Sequence, residues 1–164
     1  MGGASIKGLD QVVANLNAAI KQIEGTTLKG LLRGAIEIRR AMDKISPLIP
    51  VDTGNMRNSF FVVTFKGDVD QGASPTFVAR PDIKNLATRL TSEHSSTLAE
   101  AKSEISNRPV MVMLGFSAFY TACVHEMIGA NFKRPDAGAK FFQAAFTNTA
   151  VRVLELIYQE AKIK

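Results

Sequence analysis

The segment 59–66 restricts the fold more than any other, because its side chains are apolar on both faces. Phenylalanine, valine and threonine dominate it, and these residue types favour an extended strand. Successive side chains of a strand point to opposite faces, so Phe61 and Val63 lie opposite Phe60 and Val62. Strands with two apolar faces occur where both faces of a sheet are covered. We therefore expect a sheet with protein packed against each of its faces.

Long stretches with helical periodicity lie on both sides of this strand. Apolar residues recur at three- and four-residue steps in 9–23 and in 28–46, which predicts two amphipathic helices. A Gly-Thr-Thr sequence separates them, with Thr27 capping the second helix. Pro47 ends the second helix, because proline has no amide hydrogen and clashes with the preceding turn. The same periodicity at 139–162 predicts a terminal helix.

Shorter elements are predicted between these helices. They are a polar loop, two further strands, a short helix and a second loop, at 67–75, 76–80, 110–116, 118–127 and 129–138. The polar stretch 82–106 has loose helical spacing and is expected to be a mobile helix or a partly ordered insertion, in which His94 has no partner pattern. The order of elements predicts an α+β fold in one domain, 1–164: a small antiparallel sheet packed against long N-terminal and C-terminal helices.

Composition narrows the classes of function open to the chain. Of its 164 residues, 46% are hydrophobic and 21% charged, which is typical of a globular protein. No apolar run approaches the roughly 20 residues of a membrane span, and the first residues do not form a secretory signal. They come close to a myristoylation signal, but Ile6 stands where Ser or Thr is required, so we interpret them as a flexible start.

The charged and sulfur-containing residues narrow the classes further. The single cysteine, Cys123, excludes an internal disulfide. One cysteine and two histidines cannot form a closed structural zinc site without carboxylates. A formal net charge of +5 permits weak attraction to nucleic acid or to an acidic protein, but the basic residues are scattered.

Four segments carry recognisable motifs in a fixed order. They are a Gly-Leu start of a helix, a Pro-Val-Asp-Thr-Gly turn before a strand, an aromatic stretch ending in glutamate, and a Lys-Phe start of the terminal helix, at 6–16, 49–59, 119–126 and 138–146. In these motifs the chain resembles the neck and tail-completion family of tailed bacteriophages, also described as tail-component or head–tail connector proteins. It departs from the family at 127–129, where Met-Ile-Gly replaces a Gly-Thr, and 82–106 has no counterpart.

The resemblance implies a structural virion protein without enzymatic activity. Such proteins form rings, often sixfold, between the head connector and the tail tube, and viral DNA passes through the ring without sequence-specific binding. The implied partners are further copies of the chain, assembled as a hexameric ring, and the adjacent connector and tail-tube proteins. The protein would be assembled in the host cytoplasm and located in the virion. A tail terminator or a head-closure ring is the alternative level, and no cofactor, metal or membrane is implied.

The motifs nominate residues for structural turns and interfaces. They are Asp52, Thr53, Gly54, Arg57, Ser59, Tyr120, His125, Glu126, Lys140 and Phe141. We expect Asp52 to accept hydrogen bonds from the backbone of its own turn, Gly54 to provide conformational freedom, and Arg57 to reach Asp52 or a neighbouring subunit. Around the 129–140 loop, Lys133 and Arg134 gather with Lys140, either to contact DNA or a partner, or only to keep the loop soluble.

Catalytic interpretations compete with this structural one. Asp-Thr-Gly at 52–54 is also the triplet of aspartic proteases, which need a second carboxylate that a homodimer can supply. The pair His125-Glu126 lacks the second histidine of zinc proteases, because Gly129 stands at that position. Cys123 lies in an apolar stretch and is expected to be a buried small hydrophobe rather than a nucleophile. A small hydrolase and a nucleic-acid-binding module are thus the rival functions.

Overall fold

The computed structural model describes residues 9–106 and 108–161. Its helices and strands are α1 (Leu9–Ala41), α2 (Asn55–Asn58), β1 (Phe60–Thr64), β2 (Val69–Gln71), α3 (Leu86–Ile105), β3 (Val112–Phe116), α4 (Thr121–Glu126) and α5 (Phe141–Ala161). The strands form one antiparallel sheet in the order β2-β1-β3, and α1 and α5 pack against each other and against the sheet. The predicted α+β architecture is therefore confirmed.

The central strand β1 is buried along its whole length, as its two apolar faces predict. It pairs with β3 over all five residues, from Phe60 opposite Phe116 to Thr64 opposite Val112. On one face, Phe60 belongs to a core shared with α1 and α5. On the other face, Phe61 packs against side chains of α3. Both faces of the sheet are covered because adjacent strand residues point in opposite directions.

The second covering layer comes from the polar stretch 82–106. Its predicted helical character is confirmed by α3, but the stretch is a layer of the core and not the mobile or partly ordered segment that we expected. The buried side chains recur on one face of the helix at Leu86, Leu90, His94, Leu98, Ala101 and Ile105. The solvent-facing positions carry the serine, threonine and glutamate residues that make the stretch polar on average.

Helix α1 is continuous from Leu9 to Ala41, so the prediction of two separate helices is wrong. Gly25 lies in open space on the helix surface, and the hydroxyl of Thr26 donates to the carbonyl oxygens of Gln22 and Ile23, both at 3.1 Å. Glycine inside a helix costs only about 1 kcal/mol relative to alanine, so packing elsewhere on the helix overrides it. The helix ends at Ala41, five residues before the predicted end.

Two glycines of α1 allow α5 to approach closely. A Cβ atom on Gly30 would lie 2.7 Å from the Cα atom of Ile157, and one on Gly34 would lie 2.8 Å from Cγ1 of Val153. These pairs run in opposite directions along the two helices, so α1 and α5 are antiparallel. At the far end of the contact, Glu160 accepts a salt bridge from Lys29 at 2.9 Å. The first four turns of α1 therefore extend beyond the described end of α5.

The stretch between β1 and α3 differs from the sequence prediction. The strand β2 lies inside the predicted loop 67–75, and the predicted strand 76–80 is instead an irregular segment. Its backbone is bound by a side chain: Asn55 accepts from the N–H of Val78 at 2.7 Å and donates to its carbonyl at 2.8 Å. These bonds satisfy the groups through which another strand would otherwise pair.

The remaining predicted elements are confirmed, with shifted ends. The strand at 110–116, the short helix at 118–127 and the terminal helix at 139–162 correspond to β3, α4 and α5. Within the part of the chain that the structure describes, no helix combines the length and the apolar character needed to cross a bilayer.

Candidate functional site

The corner 51–59 joins the end of the α1 region to β1 and is held by buried polar groups. Gly54 has a φ of 86°, which the absence of a side chain allows, and it precedes the single turn of α2. The hydroxyl of Thr53 accepts from the N–H of Asn55 at 3.4 Å. The buried hydroxyl of Ser59 donates to the carbonyl of Met56 at 2.7 Å. Local hydrogen bonds therefore hold the corner in one conformation.

The carboxylate of Asp52 is bound by cations and not by the amides of its own turn. Arg80 donates to it at 2.6 Å and Lys133 at 2.5 Å, while Arg80 also pairs with Asp82 at 2.8 Å. The hydrogen bond from Lys133 lowers the pKa of Asp52 below its ordinary value. The expected contact from Arg57 to Asp52 is wrong, because Arg57 binds a different carboxylate.

That carboxylate is Asp43, a residue that the sequence analysis did not single out. It accepts from Arg39 at 2.7 Å, from Arg57 at 2.8 Å and from Arg134 at 2.9 Å. Arg134 also donates to the carbonyl of Ile49 at 3.0 Å. Burial opposes ionisation of Asp43, but the hydrogen bonds from Arg134 and Arg39 outweigh it, so its pKa is lowered. Asp43 thus ties together the end of α1, the corner and the 129–140 loop.

Replacing Asp43 by asparagine should lower the free energy of unfolding by about 1–2 kcal/mol at neutral pH, because the three arginines lose their shared anion. The folded-state pKa lies below the unfolded-state value, so this stabilisation is present above the unfolded-state pKa and is lost as pH falls through the folded-state pKa. Urea unfolding of both proteins from pH 7 to pH 3 measures the difference. It should shrink below about pH 4.

The matched control is Asp70→Asn on the exposed edge of β2, which removes the same charge at a surface position. We expect it to change the free energy of unfolding by less than about 0.5 kcal/mol. If the free energies of unfolding of the wild type and of Asp43→Asn differ by the same amount at every pH, the ionic role of Asp43 is contradicted.

The last two motifs, 119–126 and 138–146, come together at one end of α4. Glu126 accepts from His125 Nδ1 at 2.8 Å and also binds the ammonium group of Lys140. The Lys140 bond is the main cause of a lowered pKa at Glu126. Below them, the fully buried ring of Phe141 packs edge-on against His125, with the ring centroids 5.2 Å apart. The predicted contact between this histidine and glutamate is present, and a structural role for the pair stays a prediction.

The cations expected around the 129–140 loop each contact a carboxylate of the same chain. Lys133 pairs with Asp52, Arg134 with Asp43, and Lys140 with Glu126. Lys133 remains largely exposed, whereas Arg134 is half-buried. A contact of Lys133 or Arg134 with DNA or with a partner remains a prediction.

A cavity of about 470 Å³ lies beside the corner. It brings together Asp52, Thr53, Gly54, Tyr120 and Lys133 from the predicted residues, whereas Arg57, Ser59, His125, Glu126, Arg134, Lys140 and Phe141 are outside its lining. Its wall is mostly apolar. Burial raises the pKa of Tyr120, so its phenol stays protonated at neutral pH.

The surroundings of Asp52 and Cys123 bear on the catalytic interpretations. Asp52 is held between two cations and does not share a proton with a second carboxylate of its chain. Cys123 is exposed, so the expectation of a buried cysteine is wrong: α4 turns its Thr121 face to the core instead. Among the described residues there is no cluster of three or more His, Cys, Asp and Glu side chains that could hold a metal ion.

His94 is an internal polar residue that the sequence analysis left without a partner. It is 3% exposed, and its ring nitrogens lie 2.6 Å from the hydroxyl of Ser117 and 2.5 Å from the carbonyl oxygen of Gly72. It thus links α3 to the end of β3 and to the segment after β2. The available signal was its position, four residues from both Leu90 and Leu98 on the apolar face of the helix.

Two apolar stripes remain on the surface of the long helices. The first, here called the α1 stripe, consists of Val13 (47% exposed), Leu16 (59%), Ile20 (45%) and Ile23 (40%). The second, the α5 stripe, consists of Val151 (72%) and Leu154 (66%). The three- and four-residue steps of the α1 stripe are those of a helix that packs along another helix.

Comparisons with protein-family models, with curated proteins and with solved structures found no match to this chain.

Proposed function

We propose that this chain is a structural subunit of a ring in the neck of a tailed bacteriophage, where it completes the tail and joins it to the head. The observation that carries the proposal is the α1 stripe. It leaves large apolar side chains exposed to water on a part of α1 that extends beyond α5. Contiguous exposed apolar surface marks sites where another protein packs. Association with further copies would cover this surface.

The stiffness of the subunit supports assembly into a ring. A closed ring requires a constant rotation between successive copies, so each copy must keep one shape. The charge clusters at Asp43, Asp52 and Glu126 tie the loops to the helices, and the hydrogen-bonded corner 51–59 connects α1 to the central strand. A subunit built in this way presents its surfaces at fixed angles.

The phage setting comes from the four ordered motifs. We propose that the ring contacts the adjacent connector and tail-tube proteins and is located in the virion, with a tail-terminator or head-closure ring as the alternative level. Viral DNA would pass through the lumen without strong capture, because each additional phosphate contact adds salt-dependent affinity. The internal pairing of Lys133, Arg134 and Lys140 suits such a lumen.

A role without catalysis fits the polar residues better than a hydrolase does. The lowered pKa of Asp52 keeps it ionised and bound to Arg80 and Lys133, whereas an aspartic protease pair shares a proton between two carboxylates. Activity lost on changing Asp52 or His125 in the purified protein would instead establish the hydrolase.

Imaging of the virion tests the location directly. In a phage that encodes this chain, cryo-electron microscopy of the neck should resolve a ring whose subunit fits the α1, α5 and sheet arrangement. Absence of the chain from purified, infectious particles would overturn the proposal.

A double variant of the α1 stripe, Leu16→Glu with Ile20→Glu, should reduce the yield of infectious particles at least 100-fold and leave heads and tails unjoined. Charged side chains at an apolar contact prevent packing there. The folded subunit should keep its thermal midpoint, because both residues are exposed within it. Plaque counts and negative-stain images of lysates from a complemented deletion measure the effect.

The matched control adds the same two charges, with the same four-residue spacing, to exposed positions on the opposite side of the same helix, Ala18→Glu with Gln22→Glu. It should give near-wild-type titres. Equal titres for the control and the stripe variant would show that the α1 stripe is not part of the assembly surface.

A further inference from the structure

We infer that successive copies associate head-to-tail, with the α1 stripe of one copy packed on the α5 stripe of the next. The inference rests on the proposed self-assembly and names the two surfaces that meet. It commits to a second copy of this chain as the occupant of the α1 stripe.

The α1 stripe continues the surface by which α1 already binds α5. Seven-residue steps lead from Leu16 through Ile23 to Gly30, and from Ile20 through Thr27 to Gly34. Positions seven apart lie on nearly the same side of a helix, since two turns take about 7.2 residues. Gly30 and Gly34 are the residues against which Ile157 and Val153 of α5 pack. One face of α1 therefore binds an α5 helix along its second half and is exposed along its first.

The chain offers a matching apolar surface on the outer side of α5. Val151 lies two residues after the buried Thr149, and Leu154 lies two residues before the buried Leu156. Two residues correspond to about 200° around a helix, so both side chains point away from the core. The α5 stripe is thus free to receive α1 of another copy while its inner face stays packed on its own α1.

This pairing joins two different surfaces, and that makes it heterologous. Each copy keeps one unused stripe after pairing, so addition continues until the rotation closes a ring. Packing of the α1 stripe against another α1 stripe would be isologous and would stop at a dimer. Of the two arrangements, only the heterologous one covers both the α1 stripe and the α5 stripe.

The α1 stripe also has the form needed for close helix packing. Its four residues span about 15 Å of helix at a rise of 1.5 Å per residue. The residues that flank the middle of this stretch, Asn17 and Ala19, are uncharged, which lets a second helix come near there without burying a charge, while Glu24 flanks its end.

A mixing experiment with two assembly-defective variants tests the pairing. The first variant is Leu16→Glu with Ile20→Glu, and the second is Val151→Glu with Leu154→Glu. Each alone should be monomeric in sedimentation velocity under conditions in which the wild type associates. Mixed in equal amounts they should form a 1:1 heterodimer and no larger species, because the intact α5 stripe of the first meets the intact α1 stripe of the second. Circular dichroism confirms that both are folded.

A cross-link provides the second measurement. In a Cys123→Ser background, Ile20→Cys on one copy and Leu154→Cys on another should form an intermolecular disulfide, with at least a tenfold higher yield than Ala18→Cys with Leu154→Cys. Ala18 is exposed on the side of the helix opposite the α1 stripe, so it controls for random collision of exposed thiols.

The outcomes separate this inference from the proposed function. If the α5-stripe variant still dimerises alone and the mixture forms nothing new, the head-to-tail pairing is overturned while assembly through the α1 stripe stands. A wild type that stays monomeric at about 1 mM also overturns the pairing, whereas the neck location is decided separately by imaging of virions. If the chain is absent from the neck but its two variants still form the heterodimer, the head-to-tail pairing stands and the proposed phage function is rejected.

Discussion

Gly72→Ala is expected to lower the free energy of unfolding by about 4 kcal/mol, because the added methyl group is conformationally strained and overlaps the central strand. Gly72 has a φ of 74°, where an L side chain costs roughly 1–2 kcal/mol. A Cβ atom there would overlap the carbonyl oxygen of Phe60 and lie 3.0 Å from the Cα atom of Phe61. These atoms are the backbone of the central strand, so relief requires moving β1, at a cost of roughly 1–3 kcal/mol.

The same change would disturb the buried histidine. The carbonyl of Gly72 lies 2.5 Å from Nε2 of His94, and a displaced backbone leaves that ring nitrogen without its bond. The chain has no tryptophan whose fluorescence could report unfolding. Chemical denaturation followed by far-ultraviolet circular dichroism therefore measures the change.

Gly129→Ala is the matched control for this prediction. Gly129 has a φ of 80°, but a Cβ atom there meets nothing within 4 Å. It should therefore cost only the conformational strain, about 1–2 kcal/mol. Equal losses for the two variants would show that close approach to β1 contributes nothing.

Gly30→Ala is expected to lower the free energy of unfolding by about 2 kcal/mol, although alanine is the better helix former. The gain in helix propensity is about 1 kcal/mol. Against it stands a Cβ atom 2.7 Å from the backbone Cα of Ile157, which forces α1 and α5 apart and costs about 3 kcal/mol in lost packing. The α1–α5 contact is the most extensive between helices in this fold, so the change spreads along both of them.

Gly25→Ala is the matched control on the same helix. It makes the identical change in helix propensity, but a Cβ atom at Gly25 has nothing within 4 Å. It should raise the free energy of unfolding by up to about 1 kcal/mol. Urea unfolding of the two variants should thus differ by about 3 kcal/mol, and similar stabilities would exclude a close contact at Gly30.

Gly34→Ala should have an intermediate effect on the free energy of unfolding. A Cβ atom there meets Cγ1 of Val153, a side-chain atom that can move more easily than the backbone of Ile157. We expect Gly34→Ala to fall between the other two. The three glycines form a series in which only the surroundings differ.

Sequence patterns correctly predicted the elements in which the spacing of apolar residues indicates which faces are buried. The two apolar faces of 59–66 required covering layers, and the structure has one on each side of β1. The predicted break in α1 failed because Gly25, Thr26 and Thr27 carry a local preference that the packed second half of the helix outweighs. The predicted strand 76–80 failed because the partner of its backbone is the distant side chain of Asn55.

In the candidate site, too, some features were predicted from the sequence and others were not. The Asp-Thr-Gly corner was anticipated from its motif. Glu126 and Lys140 were each singled out, but not as partners of one another. The charge cluster at Asp43 was not anticipated. Arg39 is a helix neighbour four residues away, but Arg57 and Arg134 lie 14 and 91 residues away in the sequence. No local pattern connects Asp43 to these two arginines, because their pairing depends on which loops the fold brings together.

By itself, the sequence determined the type of fold, the double covering of the central strand and the position of the turn before that strand, because periodicity and turn propensity are local properties. Only the tertiary structure decided that 82–106 is a core layer, that Asp43 and not Asp52 binds Arg57, and that α1 continues past the described end of α5 with an apolar face exposed. Each of these depends on contacts between residues far apart in the chain, whose free energies exceed the local preferences of the segments involved.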